Sequence, residues 1–114
     1  MISNLEIKNY HCPGSASLIK RAKNAIYFSS ANSKEHEMAK AEICYELKEL
    51  GHDFITECVN NKNGLRRDIV DLNTGFIYEI ERSMCRAERF NDDPEKDKIK
   101  VIKLFLNKSI KELM

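Results

Sequence analysis

The most restrictive feature of the chain is the run Arg66–Arg82, R-R-D-I-V-D-L-N-T-G-F-I-Y-E-I-E-R. Two β-rich stretches, Arg67–Leu72 and Phe76–Glu81, flank Asn73-Thr74-Gly75, where Asn and Gly accept the positive φ of a tight turn. The run therefore predicts a β-hairpin. Side chains alternate along a strand, so Asp68, Val70 and Leu72 are expected on one face, and Ile77, Glu79 and Glu81 on one face. A two-residue loop, either Asn73-Thr74 or Thr74-Gly75, pairs Asp68 with Glu79 or with Glu81. Both registers crowd three carboxylates onto one face of adjacent strands. Such a group repels itself unless something positive sits within it, and a hard divalent cation is the usual partner.

The plainer alternative is a solvated outer face of an edge hairpin, with Arg67 and Arg82 as cross-strand partners of the acids. The apolar neighbours argue against it. Val70 and Leu72 beside Asp68, and Ile77 beside Glu79, make the acids an interruption at one end of a buried face.

A chain of 114 residues is enough for one domain and too short for two. We divide it into an N-terminal strand and helix extension, residues 1–32, and a core, residues 33–114. With 42% hydrophobic and 32% charged residues it reads as a globular sequence rather than a disordered one. Apolar runs are only a few residues long and the start lacks a signal-peptide pattern, so the expectation is a cytoplasmic protein with no membrane partner. Net charge is +1, so any nucleic acid must be held by a local basic patch rather than by overall charge. Cys12, Cys44, Cys58 and Cys85 contain no C-x-x-C pair, which argues for free or buried thiols rather than zinc or disulfides.

Taken in order, Leu5–Tyr10 predicts a short strand closed by Cys12-Pro13-Gly14. Ser15–Phe28 predicts an amphipathic helix carrying Lys20, Arg21 and Lys23. Asn32 with Glu35 resembles a capping box for a helix that runs to Leu50 and stops at Gly51. Ala39, Ile43, Leu47 and Leu50 form its apolar stripe, with Glu42, Glu46 and Glu49 facing water. His36 and Lys40 extend that stripe. Either it runs past the core into a polar site, or both side chains reach solvent at the first turns. Phe54–Val59 predicts a strand. Residues 83–98 predict a short helix passing into a charged loop at Asn91–Pro94, Ile99–Leu106 a largely buried strand, and Ser109–Met114 a final helix. The fold class is α/β, a central mixed β-sheet flanked by α-helices.

The pattern H-x-x-x-K on a helix (His36, Lys40), R-x-D on a strand (Arg66-Arg67-Asp68) and E-x-E ending the next (Glu79-Ile80-Glu81) resembles the PD-(D/E)xK nuclease superfamily. Within it the chain is most similar to the CoiA-like competence-nuclease branch, and in general appearance to archaeal and viral members. The likeness spans roughly residues 33 to 106. It implies a restriction-endonuclease-like core and metal-dependent hydrolysis of phosphodiester bonds, with DNA as the first substrate and Mg2+ or Mn2+ as cofactor. By the same resemblance Asp68, Glu79 and the Ile80 carbonyl are metal ligands. Glu37, one turn before Lys40, is the helix glutamate. The sequence departs from the superfamily at Glu81, which stands where a lysine is usual and where the CoiA-like branch has glutamine. Lys40 is nominated to supply the missing positive charge, with Glu81 binding a second ion or a water. His36 is expected on phosphate or on a carboxylate. Arg66, Arg67, Arg82, Arg86 and Arg89 cluster around the site and are expected on the nucleic-acid backbone. So small a chain invites a homodimer for substrate grip. The rival expectation is a nuclease-fold protein that binds nucleic acid or a protein without cutting.

Overall fold

A computed structural model gives the fold and describes residues 5–14, 19–81 and 90–103. Its elements are β1 (Tyr10–His11), α1 (Lys34–Glu49), β2 (Phe54–Asn60), β3 (Arg66–Asp71), β4 (Ile77–Glu81) and β5 (Ile99–Lys103). The strands form one mixed sheet in the order β1-β2-β3-β4-β5. The first four are antiparallel to their neighbours, and β5 runs parallel to β4. A parallel pair cannot be joined by a tight turn, and residues 82–98 separate β4 from β5 in the chain. The architecture is α/β, with a five-stranded sheet and one helix among the described residues. None of those residues forms a helix long and apolar enough to cross a membrane.

Two apolar clusters sit on opposite faces of the sheet. Ala39, Ile43, Cys44 and Leu47 of α1 pack against Phe54, Ile69 and Ile80 on one face. Tyr10, Ile55, Cys58, Val70, Leu72 and Ile77 form the other cluster, with Leu5, Ile7 and Ile99 against them. Because both faces are covered, β2, F-I-T-E-C-V-N, is buried almost throughout and carries one charge, Glu57.

The hairpin is present with a longer loop than predicted. Leu72–Gly75 connects the strands, Gly75 has φ 83°, and the Asp71 carboxylate accepts the Asn73 and Thr74 amides at 2.8 and 3.3 Å. Ile69 pairs with Tyr78 and Val70 with Ile77, and continuing that step sets Asp68 opposite Glu79. This is the first of the two registers expected.

Several local expectations are corrected. Residues 19–28 form no helix. Asn24 has φ 58°, its amide donates to the Phe54 carbonyl at 2.7 Å, and its side-chain oxygen accepts from the Phe54 amide at 3.0 Å. The segment covers the edge of β2 that the two-residue β1 leaves open, and that tertiary use of the backbone overrides its helical periodicity. Leu5–Tyr10 is not a straight strand, because Ile7–Asn9 form a 3-10 turn. The turn brings Tyr10 onto the same cluster as Leu5 and Ile7, which strand alternation would not. Leu50 is 68% exposed, and Cys44 takes a place in the helix stripe instead. The chain reverses just after Leu50, where Gly51 has φ 78° and the His52 amide donates to the Leu47 carbonyl at 2.9 Å. In β5 the side chains of Ile99, Val101 and Ile102 are half-buried and Lys100 is exposed, so the strand is less buried than predicted. The expected helices at the start of 83–98 and at Ser109–Met114, Cys85, and the end of the Ile99–Leu106 strand lie outside the described residues.

Candidate functional site

The site begins at the N-terminus of α1. Ser33, not Asn32, is the N-cap, its hydroxyl accepting the His36 amide at 3.2 Å. Asn32 instead donates from its side chain to Glu37 Oε1 at 2.7 Å. Starting the helix here turns His36, Glu37 and Lys40 inward, and all three are buried. Lys40 is fully enclosed, and its ammonium donates to Glu37 Oε2 at 2.8 Å, the Tyr27 carbonyl at 2.9 Å and Glu57 Oε2 at 3.2 Å. An enclosed ammonium demands this many acceptors. Both side chains of the His36–Lys40 stripe are thus buried among polar groups and do not reach solvent at the first turns.

The strands meet the helix through an irregularity. Thr56 pairs with Ile69 and Cys58 with Arg67, but the intervening step, Glu57 against Asp68, is missing from the ladder. Glu57 has φ 45°, in the left-handed region, which breaks the alternation of β2. Its carboxylate therefore turns to Lys40 on α1, while Cys58 rejoins Ile55 in the opposite cluster. Asp68 behaves likewise. It does not share the face of Val70 and Leu72 but reaches α1, where His36 Nε2 lies 3.3 Å from its Oδ2. The same oxygen accepts the Ile80 amide at 2.8 Å. Glu79, opposite Asp68 on β4, is close enough to influence its ionisation.

The predicted residues thus separate into groups. His36, Glu37, Lys40 and Asp68 form one connected network, with Glu79 at its edge and Ile80 holding Asp68 through its amide. Glu81 is buried two residues further along β4, in register with Lys103 of β5. Arg66 is exposed. Arg67 is buried in a different environment, its guanidinium fixed to Asp93 at 2.7 and 2.8 Å and to Glu95 at 2.8 Å, with Glu79 at 3.9 Å. Arg82, Arg86 and Arg89 lie outside the described residues. Glu57 went unrecognised in the sequence. The one available signal was a lone acid inside a strand whose other residues all suit burial.

Charge in the network is set by its contacts. Burial opposes the charge on His36, but its hydrogen bond to Asp68 and the nearby carboxylates outweigh burial and raise its pKa above the ordinary 6.5. Burial likewise opposes ionisation of Asp68, yet His36 and the Ile80 amide hold its carboxyl below the usual carboxylate range. Glu37 is lowered too, burial being outweighed by the hydrogen bonds from Lys40 and Asn32. A raised histidine pKa adds stability in full below about 6.5 and loses it as pH rises through the folded value. A lowered aspartate pKa adds stability above 3.8 and loses it as pH falls through the folded value. The His36–Asp68 pair should therefore stabilise the chain most between about pH 4 and 6.5. Thermal melts are expected to show a fall in Tm as pH rises above about 6.5 that shrinks in His36→Gln. An unchanged fall in the variant would assign that pH dependence to other groups.

Among the described residues, no three His, Cys, Asp or Glu side chains stand gathered closely enough to hold a metal ion. The donor chemistry nevertheless suits a hard cation. Glu37, Glu57, Asp68 and Glu79 bring four carboxylates together with Lys40 and His36, while Arg67 binds Asp93 and Glu95 and lies 3.9 Å from Glu79. Carboxylates outnumber cations in this region, and oxygen donors are what Mg2+ prefers. No protein-family model matches the chain, and neither a curated protein nor a solved structure matches it.

Proposed function

We propose that the chain is a Mg2+- or Mn2+-dependent nuclease with a restriction-endonuclease-like core, acting on DNA. The observation that carries this reading is the convergence of Glu37 and Lys40 from α1 with Asp68 from β3 and Glu79 from β4. The motif-bearing elements follow one another in the order the resemblance implies: a helix, a strand with the aspartate, then a strand with the glutamates.

Asp68 and Glu79, with the Ile80 carbonyl that the resemblance implies, would hold the ion, which when bound would activate water and neutralise charge on the phosphate, while Glu37 would have to release an oxygen from Asn32 or Lys40 to join them. The chain's own residues account for the rest. His36 keeps Asp68 ionised and must release Asp68 Oδ2 for that oxygen to serve as a ligand. The Ile80 amide fixes the rotation of the Asp68 carboxylate. Lys40 brings a positive charge whose position is set by Glu37, Glu57 and the Tyr27 carbonyl; enclosed and with its three N–H groups engaged, it would act on developing phosphate charge through space rather than by contact. It thereby covers the role left open by Glu81. Exposed Arg66 is the described arginine available to the nucleic-acid backbone.

A second reading has its own support. His36 and Lys40 already neutralise Asp68 and Glu37, and Glu81 replaces the usual lysine, as suits a protein that binds nucleic acid without cutting it. One experiment separates the two: labelled single- and double-stranded DNA incubated with Mg2+, Mn2+ or EDTA, wild type beside Asp68→Ala. Metal-dependent cutting is expected, reduced at least ~100-fold in the variant. No cutting of any substrate, with no Mg2+ uptake by calorimetry, would overturn the nuclease reading.

A further inference from the structure

Glu57 is strained, buried for the most part, and aimed. A non-glycine residue with φ 45° inside a strand is held there against its preference. Such strain persists only where neighbouring groups over-determine it. Here Arg21 does so. Its Nε donates to the Thr56 carbonyl at 3.1 Å and to the Glu57 carbonyl at 2.9 Å, and its guanidinium lies 3.8 Å from the centre of the Tyr27 ring. The Tyr27 amide donates to Thr56 Oγ1 at 2.9 Å, and that hydroxyl donates to the Ala25 carbonyl at 2.9 Å. The same Tyr27 supplies the carbonyl that Lys40 uses. One short segment thus fixes both the twist that turns Glu57 inward and one acceptor for the ammonium it meets.

We propose that Glu57 is a positioning residue of the site, one that fixes the Lys40 ammonium beside Glu37 from the side of the sheet. Glu37 alone, three residues earlier on the same helix, would leave Lys40 tethered only along its own helix. Glu57 supplies a second anchor from β2, and Tyr27 a third from the extended segment. Three acceptors from three elements define the position of an ammonium, where a single flexible ion pair does not. A regular strand would point residue 57 into the apolar cluster of Ile55 and Val70, so the twist also spares a buried charge. That alone does not explain why an acid occupies the position, since an apolar residue there would need no twist.

The catalytic part of this proposal rests on the nuclease reading, and the positional part does not. The test is Glu57→Gln, which keeps shape and removes charge, with Glu57→Asp as the variant that keeps charge and loses reach. Two quantities are measured on the full chain: steady-state cleavage of DNA with Mg2+, and the Lys40 ammonium resonance in proton–nitrogen spectra. The expected result for Glu57→Gln is a kcat lower by about 10- to 100-fold with KM little changed, as when an interaction of the transition state alone is removed. The Lys40 resonance, visible in the wild type through its restricted exchange, should broaden or shift. Glu57→Asp should fall between the two. If the wild type cuts no substrate, the nuclease reading fails by itself, and a Lys40 resonance that depends on Glu57 still upholds the positioning role. An unchanged resonance in Glu57→Gln overturns the proposal whatever the activity. A changed resonance with full kcat in a cutting enzyme overturns the catalytic part and upholds the positional one.

Discussion

Replacing Arg67 by methionine is expected to destabilise the folded chain by about 3–5 kcal/mol, the loss typical when one partner of a buried ion pair is removed. Arg67 is 2% exposed, and both terminal nitrogens are engaged, in a fork on Asp93 at 2.7 and 2.8 Å and on Glu95 at 2.8 Å. Without it, two carboxylates on the segment leading to β5 face each other and Glu79 with nothing positive between them. The hydrogen bond from Arg67 is the first reason the Asp93 carboxyl is held below its ordinary range. Arg67→Lys keeps the charge but not the planar fork, and should recover only part of the loss. Urea denaturation of the three proteins measures this. A loss under about 1 kcal/mol in the methionine variant would mean the pair behaves as a surface contact. The same geometry separates two neighbouring arginines. Arg67 variants should lose stability, whereas Arg66→Ala should weaken DNA binding in a salt-dependent way and leave stability nearly unchanged.

The division between legible and illegible parts of the chain follows the range of the forces involved. The helix and hairpin announce themselves because their signals are local: an apolar stripe ending in Gly51, and alternation around Asn73-Thr74-Gly75. The Asp68–Glu79 register was within reach for the same reason, although Asp71 builds a four-residue loop in place of a two-residue one. His36, Glu37 and Lys40 were recognisable as a group because helix spacing fixes their common side. What local pattern could not give is the side on which Asp68 and Glu57 emerge. That depends on φ at Glu57, which is held by Arg21 from 36 residues away. Residues 19–28 show the same limit. Their amphipathic spacing is real, but β2 has an uncovered edge, and Asn24 and Arg21 satisfy its backbone groups better than a helix would. Arg67 was grouped with Arg66 because they adjoin in sequence, yet adjacent strand residues face opposite ways, and one is buried while the other is not.

Lys40→Met should show an equally large effect, a loss of about 3–5 kcal/mol, because it leaves Glu37 and Glu57 buried side by side without their shared cation. The lysine side chain is fully enclosed, and the two carboxylates it joins are 11% and 15% exposed. Much of that loss belongs to the stranded acids rather than to the missing contact. Adding Glu37→Gln and Glu57→Gln to Lys40→Met should therefore restore most of the stability, since neutral groups of the same shape carry no charge to be desolvated. Urea denaturation of the single and triple variants tests this, and a triple variant as unstable as the single one would contradict it. The comparison also reaches function. If the neutral triple variant folds as well as the wild type but neither binds Mg2+ nor cuts DNA, the ion pairs add little to the fold. Their presence in the chain is then explained by the chemistry they serve, as expected where charged groups are retained against the preference of a protein interior.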